Sequence, residues 1–288
     1  MTLKRTMVAK PYSPLELFSD GPPTLTINAS KRGQRPSTST RQAKRQRDVK
    51  AQRLRRHAKH MASLAGSETA TSIVALALAD KLDACAPPRR PCLSGACPIC
   101  MRAQQRWFAE DARRVMRWLL RDPRYSGQVL SLAPEFGRIR ARSLDAFEMD
   151  GFYDSIRDAL TACGINNYKL GFDISLNQRA GVASSAVWQL QLSGFFSEPK
   201  STSWCEELNA MLNPNGGATR SVTVAERDPL DAVAAHGLKS TFGHRLRGDA
   251  WVELMLFLDR IGLERRLLIS SRDISIPPLH SCNGLRLV

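Results

Sequence analysis

No run of about 18 consecutive apolar residues occurs in the chain, so the sequence predicts no membrane-spanning helix. Met1 to Lys10 is mixed and basic, without the apolar centre of a secretory signal. Cysteine is sparse outside one short stretch and its count, seven, is odd, which argues against a secreted disulfide framework and for a reducing, cytoplasmic compartment. The five histidines form no recognisable set; no glycine-rich loop carries the Lys-Ser/Thr of a nucleotide site, and no Gly-x-Ser-x-Gly elbow occurs. Acid is nearly missing from residues 31–60, where Asp48 alone faces twelve Lys and Arg. That stretch therefore holds +11 of the net charge of +15; residues 1–30 add +1, leaving +3 for residues 61–288.

What is present divides the chain into an expected disordered basic arm over 1–60, a helical segment with a metal knuckle over 61–124, and an α+β domain over 125–288. Five prolines and the run Ser37-Thr38-Ser39-Thr40 keep residues 1–40 irregular. From Arg41 to about Ala65, Gln, Ala, Lys, Arg and Leu favour a basic helix that a polyanion would order. A helix is expected over roughly 68–84 with Ser67 as its N-cap, and another over about 102–121 with Phe108, Ala112, Val115 and Leu119 as its buried stripe. Strands are expected at 128–132, 168–176, 187–195, 221–225 and 266–270, with 168–176 and 187–195 pairing as an antiparallel hairpin. Helices fill 144–163, 204–212, 230–242 and 249–260. Strands and helices do not alternate as in a doubly wound sheet, so an antiparallel sheet with packed helices is predicted.

Four of the cysteines crowd together: Cys85, Cys92, Cys97 and Cys100. The Cys97-x-x-Cys100 spacing aims two thiolates at one tetrahedral ion, and Cys92 reaches the same point across a tight loop containing Gly95. Cys85 is the expected fourth ligand, with His57 or His60 as alternatives. Four thiolates leave no open position, so the expected Zn²⁺ is structural rather than catalytic.

Arginines on a helix-prone segment neutralise phosphates and release counterions. Lys44, Arg45, Arg47, Lys50, Arg53, Arg55 and Arg56 are candidate nucleic-acid contacts, extended by Arg102, Arg106, Arg113 and Arg117 beyond the knuckle. Leu54, Met61 and Leu64 are too few for an apolar membrane-binding face. Among acids only Asp173 stands out, and a solvent-facing strand position is expected for it.

The order of these features resembles the replication initiators of rolling-circle plasmids and phages, the HUH-endonuclease class. The resemblance rests on Cys97-Pro98-Ile99-Cys100 followed by Arg102, Arg106 and Trp107, then a Ser-bearing strand, Val129-Leu130-Ser131-Leu132. It implies a central strand, here 188–195, carrying a His-hydrophobe-His metal pair, and a downstream helix, here 235–242, carrying a nucleophilic tyrosine near a lysine. This chain has Gln189, Gln191 and His236 at those positions, and carboxamides are poor ligands for a catalytic divalent ion. The implied protein binds DNA in the replication or maintenance of a mobile element without nicking it. An active metal-dependent nickase and an RNA-binding structural protein are the alternatives.

Overall fold

The computed structural model describes residues 38–86, 90–105, 108, 128–166, 168–177, 186–196, 202–216, 221–226 and 246–269. The first element, α1 (Thr38–Ala65), contains neither glycine nor proline across 28 residues. Its Ala51, Leu54 and Ala58 recur at helical spacing and are buried. They pack on α2 (Ala70–Asp83), which offers Ala75, Leu78, Ala79 and Leu82. Arg55 of α1 forks onto Asp80 at 2.7 Å and Asp83 at 2.5 Å along the exposed seam. Over 38–60 of the arm expected at 1–60, the helix formers build α1, whose apolar side packs on α2. Residues 1–37 lie outside the described residues. At the start of α2, Thr69 and not Ser67 is the cap. Its Oγ1 accepts from Ser72 N at 3.1 Å while Ser72 Oγ accepts from Thr69 N at 2.8 Å, closing a reciprocal box.

The cysteine loop leads into a third helix, α3, described over 98–105 and at Phe108. The rest of the helix expected to 121 lies outside the described residues. Beyond it come β1 (Gln128–Leu132), β2 (Arg138–Arg140), α4 (Met149–Ala162), β3 (Tyr168–Asn177), β4 (Val187–Phe196), α5 (Trp204–Leu212), β5 (Val222–Glu226), α6 (Gly248–Ile261) and β6 (Leu267–Ile269). These six strands form one antiparallel sheet in the order β5-β1-β4-β3-β6, with β2 pairing the start of β4. The run β1-α4-β3-β4-α5-β5, with its strands ordered β5-β1-β4-β3, is the split βαβ, ferredoxin-like arrangement. The expected α+β class with an antiparallel sheet is the observed one.

The register separates two faces, because residues paired across an antiparallel ladder point to the same side. One face is apolar: Leu130, Leu190, Leu192, Phe172 and Ile174 are buried there. Helices cover it: the Phe257 ring of α6 lies 6.2 Å from that of Phe172, and the Trp204 ring of α5 lies 5.2 Å from that of Phe196. The other face is largely polar, and brings together Ser131 with Ser193 and Gln191 with Asp173.

Some boundaries moved. Helix α4 begins at Met149 rather than at 144, because residues 144–147 form a loop stapled to α6: Leu144 N donates to Glu253 Oε1 at 2.9 Å, and Arg260 binds the carbonyls of Leu144, Asp145 and Phe147. Strand β2, three residues long, was not expected at all. The expected helix at 230–242 lies outside the described residues. No helix among the described residues is long and apolar enough to cross a membrane.

Candidate metal centre and cationic surface

The loop after α2 folds back on itself through a bridge between Ala86 and Arg90 and ends where α3 begins. Its four cysteines converge: all four sulfurs lie within 4.8 Å of one another. The Sγ of Cys85 is 3.6 Å from that of Cys100 and 3.7 Å from that of Cys97, and Cys92 Sγ is 3.7 Å from Cys100 Sγ. Four sulfurs at about 2.3 Å from a common ion stand about 3.8 Å apart along a tetrahedron's edges, so these separations fit one metal ion. They are far too long for disulfides, and all four thiols are free. Cys85, Cys97 and Cys100 are buried and Cys92 is half-buried. Cys85 is therefore the fourth member of the set. His57 is elsewhere, 3.7 Å from Asp249.

The four sulfurs act on one another. Sulfur hydrogen bonds, that of Cys100 foremost, pull the Cys85 thiol below its usual range, while Cys85 foremost pushes Cys100 up. A bound cation holds coordinating thiols deprotonated.

The loop is seated against both helical neighbours. A Cβ on Gly95 stands 2.5 Å from Leu258 O and 3.0 Å from Gly262 O, so only glycine lets the loop approach the end of α6 this closely. Leu263 N donates to Leu93 O at 3.1 Å, and Gln104 Nε2 donates to Leu263 O at 2.6 Å. From α1, Arg47 Nη1 donates to Cys85 O at 2.6 Å and Lys50 Nζ donates to Ala96 O at 3.0 Å. The stem of Lys50 is partly exposed, but its ammonium is enclosed. Burial pulls it down to about 8, opposed by the charge of Cys97 and reinforced by Arg266.

The predicted nucleic-acid residues divide accordingly. Arg47 and Lys50 are spent on the metal loop. Arg53 donates to Leu246 O at 2.7 Å and stacks 4.0 Å from the Trp251 ring centroid; Arg55 is paired with α2. Lys44, Arg45 and Arg56 are exposed, as are Arg41 and Lys59, which the candidate set left out. At 100° per residue, Arg41, Arg45, Arg56 and Lys59 fall within one 60° sector, a stripe about 27 Å long. Arg102 donates to Gln42 Oε1 at 3.2 Å, while Arg106, Trp107, Arg113 and Arg117 lie outside the described residues.

The positions singled out by the initiator resemblance are partly described. Gln189 and Gln191 lie on the polar face of β4, a central strand. Gln189 is buried and its Nε2 donates to Pro134 O at 3.1 Å and Leu190 O at 3.0 Å. His236 and Lys239 lie outside the described residues. Asp173 is buried rather than solvent-facing: its Oδ1 accepts from Ile174 N at 2.8 Å, and its charge supports the buried Arg266 guanidinium.

No family model matches the chain, and no curated protein or solved structure matches it.

Proposed function

We propose that this is a nucleic-acid-binding protein, DNA-binding and replication-initiator-like without nicking activity, whose four cysteines hold a structural Zn²⁺. Thiolate sulfurs at tetrahedral separations favour zinc among the common intracellular ions, and a closed four-sulfur shell gives it a scaffolding task. The observation that carries the binding role is the cationic stripe of α1. Arg41, Arg45, Arg56 and Lys59 face solvent with no ion-pair partner among the described residues, on a helix whose other side is fixed to the body. Such a row neutralises phosphates along a backbone and reads no base sequence.

Removing residues 31–60 is no clean test, because Ala51, Leu54 and Ala58 belong to the core. The quadruple variant Arg41→Gln, Arg45→Gln, Arg56→Gln, Lys59→Gln leaves that core intact. Titration of duplex and single-stranded DNA across salt concentrations should show weaker binding and a salt slope reduced by up to about 3 to 4 for duplex. An unchanged slope contradicts the assignment. Binding that favours RNA over DNA of matched length moves the reading to a ribonucleoprotein. Relaxation of supercoiled plasmid with Mg²⁺ or Mn²⁺ by the intact protein contradicts the non-nicking half.

A further inference from the structure

Beyond α1, the described surface carries a second row of cations that no assignment above uses. In Arg138-Ile139-Arg140, the middle residue is buried opposite Trp188 and both arginines are exposed, as strand alternation requires. Neither has an acidic partner among the described residues. Two residues on, Arg142 has a left-handed backbone with φ 72°, which a non-glycine residue adopts only at a cost. That turn sends its guanidinium to 3.7 Å from Asp249 Oδ2, at the start of α6. The other oxygen of Asp249 stands 3.7 Å from His57 Nε2 of α1. One exposed carboxylate therefore joins the end of the β2 row to the flank of α1.

Both rows are fixed to the same helix. Arg53 ties α1 to α6 through Leu246 O and Trp251. Arg260 and Glu253 of α6 hold the loop that follows β2, and Glu253 also accepts from Trp188 Nε1 of β4 at 3.1 Å. With α6 as a common spine, neither row needs ordering before it meets a ligand, which limits the entropic cost of binding.

We propose that Arg138, Arg140 and Arg142 extend the α1 stripe into one two-part surface for a nucleic-acid phosphate backbone, with Asp249 at the junction. This rests on the nucleic-acid reading above and adds a contact region to it. The β2 arginines, about 7 Å apart along the strand, meet phosphates that α1 does not reach. Asp249 is an exposed acid between Arg142 and α1, so it opposes polyanion binding there.

Four proteins of full length test this against the same duplex and single-stranded DNA: the unaltered chain, the α1 quadruple variant above, Arg138→Gln/Arg140→Gln/Arg142→Gln, and Asp249→Asn. The triple variant should melt at the unaltered temperature, bind at least about tenfold more weakly at low salt, and lose up to about 2 to 3 from the duplex salt slope. Asp249→Asn should bind about two- to fivefold more tightly. If the α1 variant weakens binding while the β2 triple variant does not, the surface ends at α1 and the inference is overturned with the binding role intact. If the unaltered chain fails to bind at low salt, the binding role itself falls and takes the β2 row with it.

Discussion

Two glycines show how closely single residues constrain the fold around the centre. Gly95 lies where the metal loop meets the carbonyls of Leu258 and Gly262, and no side chain fits there. Gly151 is an exposed position in α4 with nothing near its would-be Cβ. Gly95→Ala should therefore cost about 1–3 kcal/mol in urea unfolding, whereas Gly151→Ala should add about 0.5–1 kcal/mol by restricting the unfolded chain and favouring helix. Equal effects of the two substitutions contradict the tight seat of the loop. The cysteine spacing made the four-sulfur cluster legible in advance, because one local loop supplies all four. Asp173 was not legible: alternation marks a strand's two faces but not which is covered, and its burial beside Arg266 depends on residues far away in sequence. The β2 arginines carried a visible signal, a period-two Arg-x-Arg-x-Arg, but three strand residues are too few for periodicity to stand out.

Among elements, α1 is the one whose role changed most between sequence and structure. Composition marked it as helical and basic, while the apolar stripe of Ala51, Leu54 and Ala58 went unread. Nothing local told that α2 would cover that stripe, that Arg47, Lys50 and Arg53 would turn inward, or that Arg55 would pair with α2 across the exposed seam. Helices at 204–212 and 249–260 and the hairpin of β3 and β4 were legible because strong periodicity and flanking turn residues coincide there. Since Arg47 and Lys50 bind carbonyls of the cysteine loop, the position of α1 depends on that loop being held in shape. Chelation of the metal should accelerate tryptic cleavage at Lys44 to Lys59 by about tenfold or more, while the β3–β4 hairpin resists. Cleavage at an unchanged rate means that packing on α2 and α6 alone fixes the helix.

For the molecule as a whole, the cysteine loop, the α1–α2 pair and the sheet share one hydrophobic core. Phe108 of α3 reaches Phe195 of β4, 5.6 Å between ring centroids, so the loop is joined to the sheet on the side opposite α6 as well. The expected division at 60/61 runs through α1, because it follows the end of the charge run while the helix-favouring composition continues to Ala65. The cysteine cluster thus joins the cationic layer to the ferredoxin-like body, and the zinc proposed for it is the claim on which the arrangement depends. X-ray absorption at the zinc edge on the purified full chain tests it most directly. One zinc per chain with four sulfur neighbours at about 2.3 Å is the expected result. A folded protein that holds no zinc, or whose zinc is ringed by nitrogen and oxygen, contradicts it.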